Sequence, residues 1–104
     1  MRVSAARLFA ALGDETRLRM VSRLCDSGPM SIARLTKGSK VSRQAITKHL
    51  RVMQGSGLVR CSRSGRESVW QLEPRHLDEA RRYLKKISKQ WDDALVRLRK
   101  SVES

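Results

Sequence analysis

The sequence predicts a mostly α-helical fold with one small β-hairpin. Glycines interrupt the first half of the chain at short intervals, which restricts that half to brief helices. The hydrophobic period then changes from helical to alternating over residues 58–72, and it returns to helical in one long stripe after Glu73-Pro74. These observations predict four short helices, a hairpin and a long last helix in a single domain over residues 1–104.

The first two helices are bounded by recognisable start and stop signals. The first is expected over residues 3–12 and ends before Gly13. Asp14 is of a residue type that caps helix N-termini, so a second helix is expected over residues 15–26. Gly28-Pro29 then stops it.

The next two helices form a helix-turn-helix candidate over residues 31–54. Ser31 can cap a brief third helix that reaches residues 35–37. A tight connection over residues 38–40 then leads to a fourth helix that begins near Ser42.

A hairpin and a long helix complete the chain. Alternating residues predict strands over 58–63 and 67–72, with Ser64-Gly65 at the turn. The last helix is expected over residues 73–100, and residues 101–104 are expected to be a frayed tail. Its apolar residues recur at intervals of three and four, namely Leu77, Ala80, Leu84, Ile87, Trp91, Leu95, Leu98 and Val102.

The charge of the chain points to a polyanionic partner. Its 104 residues include 23 Lys and Arg against 10 Asp and Glu, a formal net charge of +13. Nucleic acid is the first candidate partner and an anionic membrane surface the second. No apolar run is long enough to cross a membrane and no signal peptide is recognisable, so we expect a cytoplasmic protein. With only four aromatic residues, a base-stacking platform for single strands is disfavoured.

The fourth helix has one face suited to packing and one suited to base edges. Ile46, Leu50 and Met53 share a narrow arc, while Lys48 and Arg51 lie almost opposite. A major groove admits one helix, and the residues near its N-terminal half provide the contacts with bases. We predict as base-reading residues Ser42, Arg43, Gln44, Thr47 and Lys48.

An unusual absence of acids supports that prediction over the alternative of an ordinary solvated helix face. From Ser39 to Gln71 the only acid is Glu67. A solvated face usually mixes charge signs, whereas a surface that meets phosphates excludes carboxylates. We predict contacts with the DNA backbone, or with a minor groove beside the site, from Arg17, Lys37, Lys40, Arg51, Arg60, Arg63 and Arg66.

The two histidines are interpreted as structural. His49 lies beside the packed arc of the fourth helix, which favours a bond to backbone or phosphate over metal ligation. His76 stands alone at the start of the last helix.

Three ordered blocks of sequence resemble the ArsR family of winged-helix repressors. They are residues 9–19 (FAALGDETRLR), residues 41–50 (VSRQAITKHL), and Gly57-Leu-Val followed by Gly65-Arg66 and Trp70-Gln-Leu. The resemblance spans nearly the whole chain. It implies a winged helix-turn-helix, a homodimer joined through its first and last helices, a recognition helix over residues 42–53 and a wing over residues 60–72. It also implies repression by occupancy of an operator in double-stranded DNA.

The ligand sets of the family's metal sensors are missing. Where a Cys-x-Cys pair would stand on the third helix, this chain has Ser31 and Ala33. The last helix has no histidine over residues 83–100, and its only acids there are Asp92 and Asp93. The sequence therefore resembles a metal-independent branch of the family, with no cofactor expected and the inducer unknown.

The two cysteines are expected to be reduced and packed. Cys25 is spaced with Leu18 and Val21, and Cys61 alternates with Val59, so both spacings favour packing. A redox role remains an alternative for both, and the basic neighbours of Cys61 would favour its thiolate.

The stripe on the last helix is too long to be covered by so small a domain. A helix of this length spans about 40 Å at about 1.5 Å per residue, so pairing with a second copy is the favoured arrangement. The alternatives are cover by the helix's own domain and a basic membrane-surface helix. Predicted interface residues are Phe9, Leu84, Ile87, Trp91, Leu95 and Leu98. A twofold dimer would read an inverted repeat with half-sites about 34 Å apart.

Two other classes of function compete with a sequence-specific regulator. A basic nucleoid-type or RNA-binding protein would share the charge but lack base preference. An enzyme would need a nucleophile, a base and an orienting group close together, or a glycine-rich phosphate loop, and the sequence shows none of these sets.

Overall fold

The computed structural model describes residues 4–103, so the predicted start of the first helix at Val3 and the last residue of the predicted tail, Ser104, lie outside the described residues. The elements in chain order are α1 (Ala5–Leu12), α2 (Glu15–Ser27), β1 (Met30–Ser31), α3 (Ile32–Thr36), α4 (Arg43–Ser56), β2 (Val59–Ser64), β3 (Glu67–Leu72) and α5 (Pro74–Glu103). This order confirms the predicted mostly helical, winged helix-turn-helix fold.

Local signals in the sequence fix where the helices begin and end. The side chain of Asp14 accepts the backbone N–H of Arg17, and Ser31 caps α3 in the same way. Helix α4 ends at Gly57, whose φ of +89° is a left-handed conformation that a glycine adopts without strain.

One hydrophobic core holds the helices to the base of the hairpin. It draws on every helix and on both long strands, and its most deeply buried side chains are Leu8, Leu35, Ile46, Leu50, Met53 and Leu58. Trp70 on β3 and Ala80 on α5 also belong to this core. Burial of these apolar side chains is the main stabilising contribution to the fold.

The sheet has one more strand than the sequence predicted. It is antiparallel, in the order β1-β3-β2. The two-residue strand β1 pairs Met30 with Trp70 and Ser31 with Val69, which ties the start of α3 to the wing formed by β2 and β3. Two residues are too few to show an alternating pattern, so this strand left no signal in the sequence.

Helix α5 begins at Pro74 and continues for 30 residues. Near its start, His76 Nδ1 lies 2.6 Å from the carbonyl oxygen of Gly57, so this nitrogen donates to that carbonyl and joins α5 to the end of α4. The predicted frayed tail is wrong as far as Glu103, because the helix continues through these residues. Its outer part projects from the core and gives the protein a longest extent of 65 Å.

The predicted packing of both cysteines is also wrong, because both are exposed. Cys25 shares its arc with Leu18, which is exposed, whereas α2 presents Met20 and Leu24 to the core. On β2 only Val59 is buried, because the hairpin leaves the core after its first residue and Cys61 already lies beyond the packed base.

Within residues 4–103, no helix is both long enough and apolar enough to cross a membrane.

Candidate nucleic-acid interface

Helix α4 presents its N-terminal half to solvent. Ser42 Oγ accepts the backbone N–H of Ala45 at 3.1 Å, which fixes the first turn. The side chains of Arg43, Gln44 and Lys48 are exposed, and Thr47 is half-buried with its hydroxyl donating to the Arg43 carbonyl. The predicted base-reading residues therefore lie together along one accessible end of this helix.

The opposite face of α4 is buried in the core. Ile46, Leu50 and Met53 are each at most 1% exposed, as their shared arc predicted. A helix held through so much apolar surface can present its outer side chains at a fixed height and angle.

The wing approaches the start of α4 across a narrow cleft. Arg43 of α4 and Arg66 at the tip of the wing line the same cleft of 260 Å³, with Ser31 and Ser68 also on its walls. One carboxylate, Glu67, lies there as well. The structure thus brings a predicted base-reading arginine and a predicted phosphate-binding arginine to one site.

The cations on this side of the molecule have no acidic partners within the described chain. Some arginines elsewhere are paired with acids, since Arg19 pairs with Glu15, and Arg81 and Arg82 pair with Asp78. In contrast, no ion pair within residues 4–103 involves Lys37, Lys40, Arg43, Lys48, Arg63 or Arg66. An accessible set of unneutralised cations gives this face a field that attracts a polyanion.

Three of the residues predicted to contact the DNA backbone differ from the others in their surroundings. Arg17 is half-buried, and its Nε donates to the carbonyl of Ala11 at 2.5 Å. Arg60 lies 3.5 Å from a carboxylate oxygen of Glu73. Arg51 lines a separate cleft with Arg7 of α1, away from the cleft shared by α4 and the wing.

His49 makes a contact that the sequence did not indicate. Its Nδ1 is buried, lacks a hydrogen-bond partner among the described residues and lies 4.0 Å from Oδ2 of Asp14. The predicted hydrogen bond from His49 to the protein backbone is therefore not formed by Nδ1. The two residues are 35 positions apart on different helices, so no local pattern could have paired them.

The outer two-thirds of α5 carries an uncovered apolar stripe. Only Ala80 is buried on this helix, whereas Leu84, Trp91 and Leu98 are 52%, 69% and 61% exposed. Among the other predicted interface residues, Leu95 is exposed and Ile87 is half-buried. We call this row the α5 stripe, and it consists of Leu84, Ile87, Trp91, Leu95, Leu98 and Val102.

Helix α1 adjoins the inner end of the α5 stripe. The half-buried ring of Phe9 packs against Tyr83 with ring centroids 5.6 Å apart. The exposed apolar surface therefore continues from α5 onto α1, which are the two helices of the predicted interface.

No cluster of three or more metal-binding side chains occurs in the part of the chain that the structure describes.

Comparison with known proteins finds transcriptional regulators among the chains similar to this one. A family model described as a helix-turn-helix domain matches residues 12–62. The HTH-type transcriptional regulator Rv2034 of Mycobacterium tuberculosis is 35% identical over 102 residues, which cover 97% of this chain and 91% of that protein. The transcriptional repressor SmtB homolog of Synechocystis sp. is 33% identical over 69% of this chain and 54% of its own length. Among solved structures, the ArsR-like transcriptional regulator from Rhodococcus sp. RHA1 matches with a TM-score of 0.74 and 37% identity, over 90% of this chain and 88% of that one.

Proposed function

The chain belongs to the ArsR family of winged-helix transcriptional regulators, and we propose that it is a homodimeric repressor that occupies an inverted-repeat operator. The observation that carries this proposal is the set of exposed, unneutralised cations on α4 and the wing, next to a helix face of base-reading residue types. In this proposal the protein acts in the cytoplasm by binding DNA and releasing it, and it catalyses no reaction.

Helix α4 reads the bases in the major groove. The exposed fork of Arg43 and the ammonium of Lys48 suit the acceptors of guanine, and the amide of Gln44 suits adenine. The Thr47 hydroxyl is bonded within the helix, so its methyl group is the part that remains for a thymine methyl.

The turn before α4 and the wing position the protein on the phosphates. Lys37 and Lys40 lie in the turn before α4, Arg63 and Arg66 lie on the wing, and all four are exposed. Arg43 shares a cleft with Arg66, so a phosphate held there would also orient the arginine that reads a base. Arg17 and Arg60 contribute less, because both are held by contacts within the protein.

Dimerisation covers the α5 stripe. An apolar row with a tryptophan at 69% exposure is costly to leave in water, and two antiparallel copies would bury it together with Phe9 and its surroundings. The twofold axis then presents two copies of α4 to half-sites about one helical turn, or about 34 Å, apart. We place this chain in the metal-independent branch, since Ser31 and Ala33 supply no thiolate.

Selection from a pool of random duplexes tests this proposal. The purified protein should enrich an inverted repeat whose half-sites are separated by about 34 Å, centre to centre. Enrichment of a single, unrepeated half-site would contradict the dimer. No enrichment at all would favour the competing class, a basic nucleoid-type or RNA-binding protein without base preference.

A further inference from the structure

A second cleft lies where α2, α3 and the connection to α4 meet, and we call it the turn cleft. Its volume is 390 Å³, within the range of about 300–1,000 Å³ that is usual for small-molecule sites. Residues 37–41, which form the connection, make up one wall, and Thr16 and Arg19 of α2 lie on another. The volume is sufficient for a small organic molecule.

The turn cleft has an apolar floor. Met20, Leu35 and Ile46 lie beneath it on three different helices, but they are only 3%, 1% and 1% exposed, so the accessible apolar surface comes from other lining groups, including the methylene chains of the rim lysines and arginines. Val41 adds a half-buried aliphatic wall. This surface offers dispersion contacts and desolvation to a hydrocarbon group, which inorganic phosphate or a sugar could not use.

The rim of the turn cleft is strongly cationic. Arg19, Arg23, Lys37 and Lys40 line it, and no Asp or Glu is found among the described residues that do so. Arg19 is paired with Glu15, outside the lining. Arg23 donates to the carbonyls of Leu35 and Arg34 at 2.6 and 2.8 Å, which fixes its guanidinium in place without neutralising its charge. The site therefore favours an anion.

We propose that the turn cleft binds a small organic anion, a carboxylate carried on an apolar ring or chain, and that this ligand releases the protein from DNA. Only the release from DNA rests on the proposed function, whereas the binding of the ligand does not. The carboxylate lies between Lys37, Lys40 and the arginines of α2, and the hydrocarbon part lies on the floor.

Release follows from the position of the two lysines. Lys37 and Lys40 are the residues that we assign to phosphates on this side of α4, and a bound carboxylate would neutralise part of their charge. The same connection ends at Ser42, the cap of α4, so the ligand also lies against the segment that sets the start of that helix. Binding of ligand and of DNA must then weaken each other by the same factor.

Titration of the full chain with benzoate, followed by backbone amide shifts, tests the binding half. Benzyl alcohol supplies the ring without the charge, and inorganic phosphate supplies the charge without the ring. Benzoate should move the amides of Thr16, Gly38, Ser39 and Val41 with a dissociation constant of about 1 mM or below, and both controls should bind more weakly. Phosphate that moves the same amides as tightly as benzoate would overturn the organic-anion assignment, as would the absence of any shift there.

Two matched double variants test whether benzoate binds in the turn cleft. Lys37→Gln with Lys40→Gln removes two charges from the rim, whereas Lys85→Gln with Lys86→Gln removes two from the outer face of α5. The first pair should weaken benzoate binding about tenfold, and the second should leave it unchanged. Equal benzoate affinity in both double variants would show that benzoate does not bind in the turn cleft.

Fluorescence anisotropy on labelled duplex tests the release half, with sodium chloride replacing benzoate at equal ionic strength in the reference. Because the two lysines contact phosphates, benzoate should weaken binding to scrambled DNA as well as to a selected operator. The result is therefore readable even if the protein has no operator, which keeps a failure of this inference distinct from a failure of the proposed function. Unchanged DNA affinity at saturating benzoate would overturn the release mechanism.

Discussion

His49 on α4 faces Asp14, the cap of α2, with 4.0 Å between its Nδ1 and the carboxylate oxygen Oδ2. The same oxygen accepts the backbone N–H of Arg17 at 2.9 Å. One carboxylate thus joins α4 to the junction between α1 and α2. Helix α1 itself contacts both α4 and α5, which carry the proposed DNA-binding and dimer surfaces.

Acid should weaken the fold through Asp14. The backbone N–H of Arg17 holds the pKa of this carboxyl below its ordinary value of 3.8, against the opposing effect of burial, and the charge of His49 lowers it further. Since the folded pKa is lowered, the stabilisation is fully present above 3.8 and is lost as the pH falls through the lower, folded value. The substitution Asp14→Asn keeps a side-chain oxygen that can cap α2, but it removes the carboxyl group that titrates.

Denaturant unfolding at a series of pH values measures this effect. Between about pH 5 and pH 2 the free energy of unfolding should fall more steeply in the wild type than in Asp14→Asn. Asp92→Asn removes a carboxylate from the exposed face of α5 and should keep the wild-type pH dependence. An identical slope in wild type and Asp14→Asn would show that the cap carboxylate does not carry the acid sensitivity.

Two substitutions at Ser42 should separate folding from DNA binding. Ser42→Ala removes the oxygen that accepts the Ala45 N–H and should lower the free energy of unfolding by about 1 kcal/mol. Ser42→Asp keeps a capping oxygen, and its charge suits a helix N-terminus, so stability should be retained. That carboxylate would, however, face the DNA and should reduce affinity at least about tenfold. If Ser42→Asp bound DNA with wild-type affinity, the start of α4 would not be part of the DNA interface.

Lys48 and Arg66 should have different roles in binding. Lys48→Ala should relax the preference for operator over scrambled duplex, because Lys48 is placed to meet base edges. Arg66→Ala should weaken binding to both duplexes and lower the slope of log affinity against log salt by about 1. Anisotropy titrations on both duplexes at several salt concentrations distinguish the two effects. A uniform, equal loss from both substitutions would refute this division of roles.

Trp91 should hold the dimer together. Trp91→Asp places a charge in the middle of the α5 stripe and should give a monomer by light scattering, with loss of operator binding. Gln90→Asp makes a comparable change on the outer face of the same helix and should remain a dimer. A Trp91→Asp protein with the mass of the wild type would contradict the proposed interface.

The parts of the fold that the sequence predicted correctly are those determined locally. Ser31 and Ser42 cap helices because an oxygen near the chain's own N–H groups needs no distant partner. The buried arc of Ile46, Leu50 and Met53 follows from helical periodicity alone. The exposed stripe on α5 was predictable for the same reason.

The features that the sequence did not predict depend on distant parts of the chain. Strand β1 exists because Met30 meets Trp70, 40 positions away. Cys61 was expected to pack because alternation shows which residues share a face, but it does not show how far along the hairpin that face stays covered. The contact of Asp14 with His49, and the assembly of the turn cleft from three helices, likewise require the folded chain.

We propose that this protein prefers one DNA sequence over others, and competition anisotropy on the DNA upstream of its own gene tests that preference most directly. We predict that unlabelled duplex of the same sequence displaces the protein about a thousandfold more effectively than scrambled duplex of the same length and composition. Equal displacement by the two competitors on this DNA and on any duplex enriched by selection would contradict the claim, and would identify the protein as a basic binder without base preference.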